Sequence, residues 1–185
     1  MNTRSGIQVL DSLASIPASD WDTLAGNHPL LSHAFLHALH ESGCASAETG
    51  WAPCYLTQWR EDKLAGAMPL YLKSHSYGEY VFDWSWADAY RRHGRHYYPK
   101  LVCAVPFTPA TGPRLIAADA YAIAIQAGAI LAVLGIYRRR IATVLLAVAG
   151  RVGTTRLIDN MPIAVGPGGG ALEVFSDVPS AAPTR

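Results

Sequence analysis

From Trp51 to Leu72 the chain takes on the period of a strand, in two mainly apolar runs on either side of a polar break. It reads Ala52-Pro-Cys-Tyr-Leu-Thr-Gln-Trp, then Arg60-Glu61-Asp62-Lys63, then Leu64-Ala-Gly-Ala-Met-Pro-Leu-Tyr-Leu. Strand, turn and strand in that order predict a β-hairpin. Ahead of it the spacing is helical. Phe35, Leu36 and Leu39 fall at i, i+1 and i+4 behind Ser32, a good helix cap, and the stripe ends near Gly43. Pro17-Ala-Ser-Asp-Trp opens an earlier helix, with Ser15 or Ser19 as its cap, and residues 7–10 read as a short strand. After the hairpin, residues 79–84 and 100–105 read as extended and 87–93 as a short helix. This is the pattern of an α/β or α+β domain, a sheet flanked by helices.

The chain changes character past residue 117. All seven histidines and all five tryptophans precede residue 100, and the later text is rich in Ala, Ile, Val and Gly. Three regions follow: 1–117 as a folded domain, 118–150 as Ala-rich helical sequence, and 151–185 as a Gly/Pro-rich flexible tail. Residues 120–136 carry Gln126 as their one strongly polar side chain beside Asp-free apolar text, and Arg138, Arg139 and Arg140 follow. A helix over 115–136 is therefore either a short membrane anchor or a buried amphipathic helix, and its alanine content favours the second. No apolar run near the N-terminus is long enough for a signal-peptide core, so the expected compartment is the cytoplasm.

With 185 residues, half of them hydrophobic, the chain can bury a substantial core, which excludes disorder throughout. Its formal net charge of +1 supplies no global field toward DNA or an anionic membrane. Cys44, Cys54 and Cys103 are widely spaced and form no CxxC pair, so neither a disulfide framework nor a four-ligand zinc site is expected. His33, His37 and His40 share one helical face, yet the outer two stand about 10 Å apart along the axis at about 1.5 Å per residue. They cannot hold one ion together, and a solvated helix face is the expectation, with no metal.

The densest chemistry lies in Met68-Pro-Leu-Tyr-Leu-Lys-Ser-His-Ser-Tyr-Gly-Glu-Tyr-Val-Phe-Asp-Trp-Ser-Trp-Ala-Asp-Ala-Tyr. Taken with Ser32-His33-Ala-Phe-Leu, Gly50-Trp51-Ala-Pro and the run from Tyr97-Tyr-Pro-Lys to Thr111-Gly-Pro-Arg, it closely resembles the bacterial FemAB-like family of peptidoglycan biosynthesis or recognition, over about residues 27–115. That family belongs to the GNAT acyltransferase superfamily. The resemblance implies a GNAT-like mixed sheet, transfer of an acyl or aminoacyl group to an amine, and a peptidoglycan-precursor or other small-molecule substrate. It also implies the N-terminal half of a two-unit protein, shortened and inactive if the rest is missing. No cofactor is implied. Acyl-CoA or an aminoacyl-tRNA would be the donor, although the GNAT acetyl-CoA signature is absent. By the same resemblance, the 108–114 loop, with Thr111, Gly112 and Arg114, stands where a donor pyrophosphate would meet backbone amides at a helix start.

Lys73, His75, Tyr77 and Glu79 recur at period two and would share a face of an extended segment. His75 or Glu79 can take a proton from an amine, Tyr77 can donate to an oxyanion, and Lys73 can hold phosphate or carboxylate. A polar sheet face in water has the same pattern. Asp83, Trp84, Trp86, Asp88 and Tyr90 suit an amine-bearing or sugar-like substrate, and equally suit a helix cap over core indoles. Arg91, Arg92, Arg95 and Lys100, interleaved with aromatic residues, form the one basic patch, open to phosphate, to tRNA or to solvent alone. Two further functions compete with transfer: a non-catalytic module recognising glycan or peptide, and a fragment anchored to a membrane by 115–136.

Overall fold

A computed structural model of the protein describes residues 3–80, 82–119 and 122, together with the backbone of three later strands, 143–152, 155–164 and 173–174. The hairpin forms about Glu61 and Asp62, whose φ angles of 48° and 64° give the left-handed turn that matches strand twist. Each arm, however, is split between two sheets. The first arm is β2 (Trp51–Pro53) and β3 (Tyr55–Arg60); the second is β4 (Lys63–Met68) and β5 (Leu70–Lys73). The breaks fall at Cys54 and Pro69, and Pro69 has no N–H to give a ladder.

β3 and β4 pair from Arg60↔Lys63 to Leu56↔Met68, with a bulge at Gln58 and Trp59. β1 (Gly6–Leu10) adds to β3 and β7 (Ile116–Ala117) to β4, giving one four-stranded sheet in the order β1-β3-β4-β7. β3 is buried along nearly its whole length, Thr57 and Gln58 included. Thr57 meets this burial by donating to the Gln8 carbonyl (3.2 Å) and accepting from Trp59 Nε1 (3.0 Å).

The other halves of the hairpin, β2 and β5, continue into a second sheet through β6 (Lys100–Cys103), β8 (Thr143–Val152), β9 (Thr155–Ala164) and β10 (Glu173–Val174). Its pairs are antiparallel except β6 with β8, which is parallel. Residues 143–150, assigned to a helix on composition, are thus strand, and 155–164 of the expected tail pair with them over ten registers. Two facing ten-residue strands satisfy each other's backbone, which outweighs the local helix preference of alanine. The 115–136 anchor expectation falls largely on 120–121 and 123–136, outside the described residues. Among the described residues no helix is long and apolar enough to cross a membrane.

α1 (Ala18–Ala25) begins after Pro17 without a side-chain cap, contrary to the expected serine, because proline at this point already sets the entry. α2 (His33–Glu41) is capped as expected, Ser32 Oγ accepting from Phe35 N at 3.3 Å. α1 covers the first sheet at β4 and β7, while α2 packs on α1 and brings His40 against Tyr55 of β3 and Tyr71 of β5. Leu13, Trp21, Leu31 and Leu36 meet Trp51, Tyr55 and Tyr71 in the main core, and Trp21 Nε1 donates to the Leu31 carbonyl at 2.8 Å. A second cluster, Cys54, Leu56, Met68, Leu70 and Leu101, fills the other side. The α+β class read from the sequence is the observed one, with two sheets in place of one.

The histidine face of α2 is not solvated. His33 is buried with Nε2 on the Leu13 carbonyl (3.1 Å), and His40 Nε2 lies 3.0 Å from Tyr55 Oη. Among the described residues no three His, Cys, Asp or Glu side chains come together as a metal site.

Candidate functional site

β5 ends at Lys73, and its register places Lys73 between Trp51 of β2 and Lys100 of β6. Both lysine side chains have no exposed surface. Their partners differ. Lys100 Nζ donates to Glu79 Oε2 at 2.8 Å and to Asp83 Oδ2, and it lies 5.4 Å and 5.7 Å from the ring centres of Tyr97 and Tyr98. Lys73 Nζ sits 3.9 Å over the Trp51 ring and donates to the Tyr77 carbonyl at 2.8 Å.

That last bond turns the chain. Residues 74–79 form a turn, with Gly78 at φ 79° and Glu79 N on the Ser76 carbonyl (3.1 Å), so the period-two strand face expected from Lys73 to Glu79 does not exist. Gly78 is required by contact as well as by φ. A Cβ there would lie 2.7 Å from Trp51 Nε1 and 2.8 Å from the Phe107 ring. Gly50 likewise leaves room for His75, whose ring would be 2.4 Å from a Cβ.

Of the expected strand 79–84, the described residues 79, 80 and 82–84 are not strand either. Asp83 ends the turn region and precedes α3 (Trp84–Arg92), but its carboxylate does not cap the helix, because Lys100 and the Tyr98 hydroxyl both donate to it. Burial alone would raise the Asp83 pKa; the hydrogen bonds from Lys100 and Tyr98 outweigh it and hold the group below the usual carboxylate range. Glu79 goes the other way. Its burial outweighs the attraction of Lys100, so its pKa is raised, and Oε1 is buried with no hydrogen-bond partner. Lys73, desolvated and without a carboxylate of its own, is pulled down to about 8. Burial raises Tyr97 and Tyr98 well above the ordinary phenol range, so both stay neutral, and the Tyr98 hydroxyl donates to Asp83.

The structure therefore brings together Lys73, Glu79 and Asp83, with His75 and Tyr77 on the turn that joins them. The His75 and Tyr77 rings are in contact, 5.2 Å between centres, and Tyr77 is largely exposed. Trp84 is exposed, Trp86 and Tyr90 are half-buried, and Asp88 lies in water bridged to Arg91 at 2.8 Å. These four stand on α3, outside the lysine–carboxylate cluster. Thr111, Gly112 and Arg114 form a loop closed on itself: Arg114 donates to the carbonyls of Ala110 (2.8 Å) and Gly112 (3.3 Å), and His28 Nε2 lies against the Thr111 carbonyl. Strand β7 follows this loop, where a helix start was expected, so the amides there do not gain a helix dipole.

Lys100, Trp51 and Tyr98 are members of the cluster that the sequence pattern does not assign to the site. Lys100 was grouped with the arginines of an exposed patch, whereas Arg91, Arg92 and Arg95 are exposed and Lys100 is the buried hub. The available signal was a lysine opening the apolar strand Lys-Leu-Val-Cys directly after Tyr-Tyr-Pro.

The buried, charge-compensated cluster of Lys73, Glu79, Asp83 and Lys100 thus lies at the edge of an aromatic-rich turn. The family model for FemAB-like proteins, peptidoglycan biosynthesis/recognition, matches residues 12–140, and the chain belongs to that family. This gives it a cell-wall-related role. No curated protein and no solved structure matches the chain.

Proposed function

We propose that the protein transfers an acyl or aminoacyl group to an amine on a peptidoglycan or other cell-envelope precursor, with Glu79 as general base. The observation that carries this reading is the division of labour in one carboxyl group: Oε2 is held by Lys100, and Oε1 is buried, unpartnered and of raised pKa. A carboxylate so poised takes a proton more readily than one in water. The amine nitrogen attacks the activated carbonyl carbon, a C–N bond forms, and the bond to the leaving oxygen or sulfur breaks. The nitrogen's proton passes to Glu79 and from there to the leaving group. His75, on the same turn, is a second candidate for this duty, Tyr77 offers a phenol to the oxyanion, and Lys73 holds the turn through the Tyr77 carbonyl. Acyl-CoA and aminoacyl-tRNA are both candidate donors.

The test uses the full chain with peptidoglycan precursor as acceptor and each donor in turn. Glu79→Gln should lower turnover by about 10²–10⁴-fold with the fold intact by circular dichroism. Undiminished turnover in that variant, or none in the unaltered chain with either donor, would overturn the proposal. Binding without reaction is the second reading, favoured by Glu79 and Asp83 both spending an oxygen on Lys100. It predicts precursor binding with no product.

A further inference from the structure

Among the described residues α3 is the one α-helix that buries none of its side chains. Helical spacing sets its outer stripe: Trp84, Asp88 and Arg91 at i, i+4 and i+7 are all exposed, while Trp86, Ala87 and Tyr90 turn half inward. The chain just before it leaves Tyr77, Tyr80 and Phe82 exposed at 65%, 72% and 49%, and Trp84 at 54%. Phe82 stacks on Trp84 with ring centres 4.7 Å apart, and Tyr77 meets Trp84 at 6.4 Å, so these three rings form one patch, with Tyr80 exposed in the same stretch of chain. Phe107 is half-exposed beside Gly78, its ring 5.4 Å from that of Trp51, on a backbone φ of 63° that bulky residues rarely adopt. Contiguous exposed aromatic surface of this kind marks a contact surface.

At the other end of α3, residues 91–96 are all exposed and read Arg-Arg-His-Gly-Arg-His, with no acid among them. Asp88 offsets Arg91 alone. The whole chain carries only +1, so this positive field is local. Rings and cations are segregated, about 12 Å apart along the helix at about 1.5 Å per residue.

We propose that residues 77–96 dock on an anionic phospholipid bilayer, the rings of Tyr77, Tyr80, Phe82 and Trp84 entering the headgroup boundary and Arg91, Arg92 and Arg95 meeting lipid phosphate. The chemistry of the segment selects this partner over two others. Sugar sites set aromatic rings beside exposed, free planar polar groups; residues 74–99 contain no Asn or Gln, Asp83 and the Oε1 of Glu79 are buried, and Asp88 is bridged to Arg91. Single-stranded RNA sites interleave stacking rings with cations along one groove. Here the two characters occupy opposite ends of a helix.

The full chain is sedimented with vesicles of phosphatidylcholine alone and with vesicles in which about one third of the lipid is phosphatidylglycerol. It should pellet with the second and not the first, and salt near 1 M, where the screening length is about 3 Å, should release it. Replacing Arg91, Arg92 and Arg95 by Ala should weaken partition about fivefold per arginine. Phe82→Ser with Trp84→Ser should weaken it at least about tenfold by removing apolar ring area from the boundary, and circular dichroism should be unchanged in both variants. Absence of pelleting with anionic vesicles, equal pelleting with neutral ones, or indifference to both variants would overturn the proposal. So would oligoribonucleotide or glycan-strand binding in place of vesicle binding. Vesicle binding needs no acyl donor, so a silent transfer assay leaves it standing and its own failure leaves the transfer reading standing.

Discussion

Lys73 and Lys100 face each other across neighbouring antiparallel strands, and neither reaches water. Like charges placed opposite in a sheet repel. The pair is tolerated because Lys100 is neutralised by Glu79 and Asp83, while Lys73 gives up part of its affinity for a proton and rests on the Trp51 ring.

Removing the hub should cost more than any surface change. Lys100→Ala leaves Glu79 and Asp83 as buried carboxylates without their cation, and a loss of about 3–5 kcal/mol is expected. Urea unfolding measures it. Adding Glu79→Gln and Asp83→Asn to that variant should recover a large part of the loss, because the stranded charges are then gone. A triple variant no more stable than Lys100→Ala would show that the cluster's charge is not what holds this region.

Lys73 gives the protein a pH signature. Its folded pKa of about 8 lies below the ordinary 10.5, so between those values the unfolded chain keeps a proton that the folded chain has released. Stability on this account therefore rises with pH across that window. Urea midpoints taken between about pH 8 and 9, below the ordinary tyrosine pKa of about 10, should climb for the unaltered protein relative to Lys73→Met. Parallel pH profiles for the two would exclude a desolvated amine at this position.

Two glycines separate backbone strain from contact. Gly26 and Gly78 both have positive φ, at 63° and 79°, but a Cβ on Gly26 meets nothing within 4 Å whereas one on Gly78 drives into Trp51 and Phe107. Gly26→Ala should cost about 1–3 kcal/mol from backbone conformation alone, and Gly78→Ala should add about 1–3 kcal/mol of overpacking to its own backbone cost. Thermal unfolding of the two variants side by side reads the difference, and equal losses would place Trp51 and Phe107 elsewhere.

The hydroxyl of Tyr55 bonds to Tyr71 Oη at 2.8 Å and to His40 Nε2 at 3.0 Å inside the core. Tyr55→Phe strands both partners and should cost about 1–3 kcal/mol. Tyr71→Phe combined with it should cost less than the two single losses summed, since the shared bond is counted in each. Strict additivity in the denaturation data would contradict the observed pairing.

What could be read in advance followed local rules. The Ser32 cap, the Phe35–Leu36–Leu39 stripe and the polar turn at Arg60–Lys63 each depend on neighbours within a few residues, and each is found where it was expected. The division of the hairpin between two sheets was not legible, because only the strands that arrive later, β6 and β7, reveal which half each arm joins. The Lys73–Glu79 face failed for a related reason. Alternation suggested a strand, but a side-chain bond from Lys73 to the Tyr77 carbonyl and the positive φ of Gly78 make a turn there. Lys100 lay hidden among arginines of the same charge, since sequence shows charge and not depth.

The parallel partnership of β6 with β8, through Lys100↔Thr143 and Leu101↔Val144, begins three residues after the family match ends at 140. The strand that carries the buried hub is therefore shielded on its outer flank by late sequence. A polypeptide cut at residue 140 would present that flank bare, with unmet amides and carbonyls inviting another copy to zip alongside, so self-association would be the first symptom of the missing neighbour.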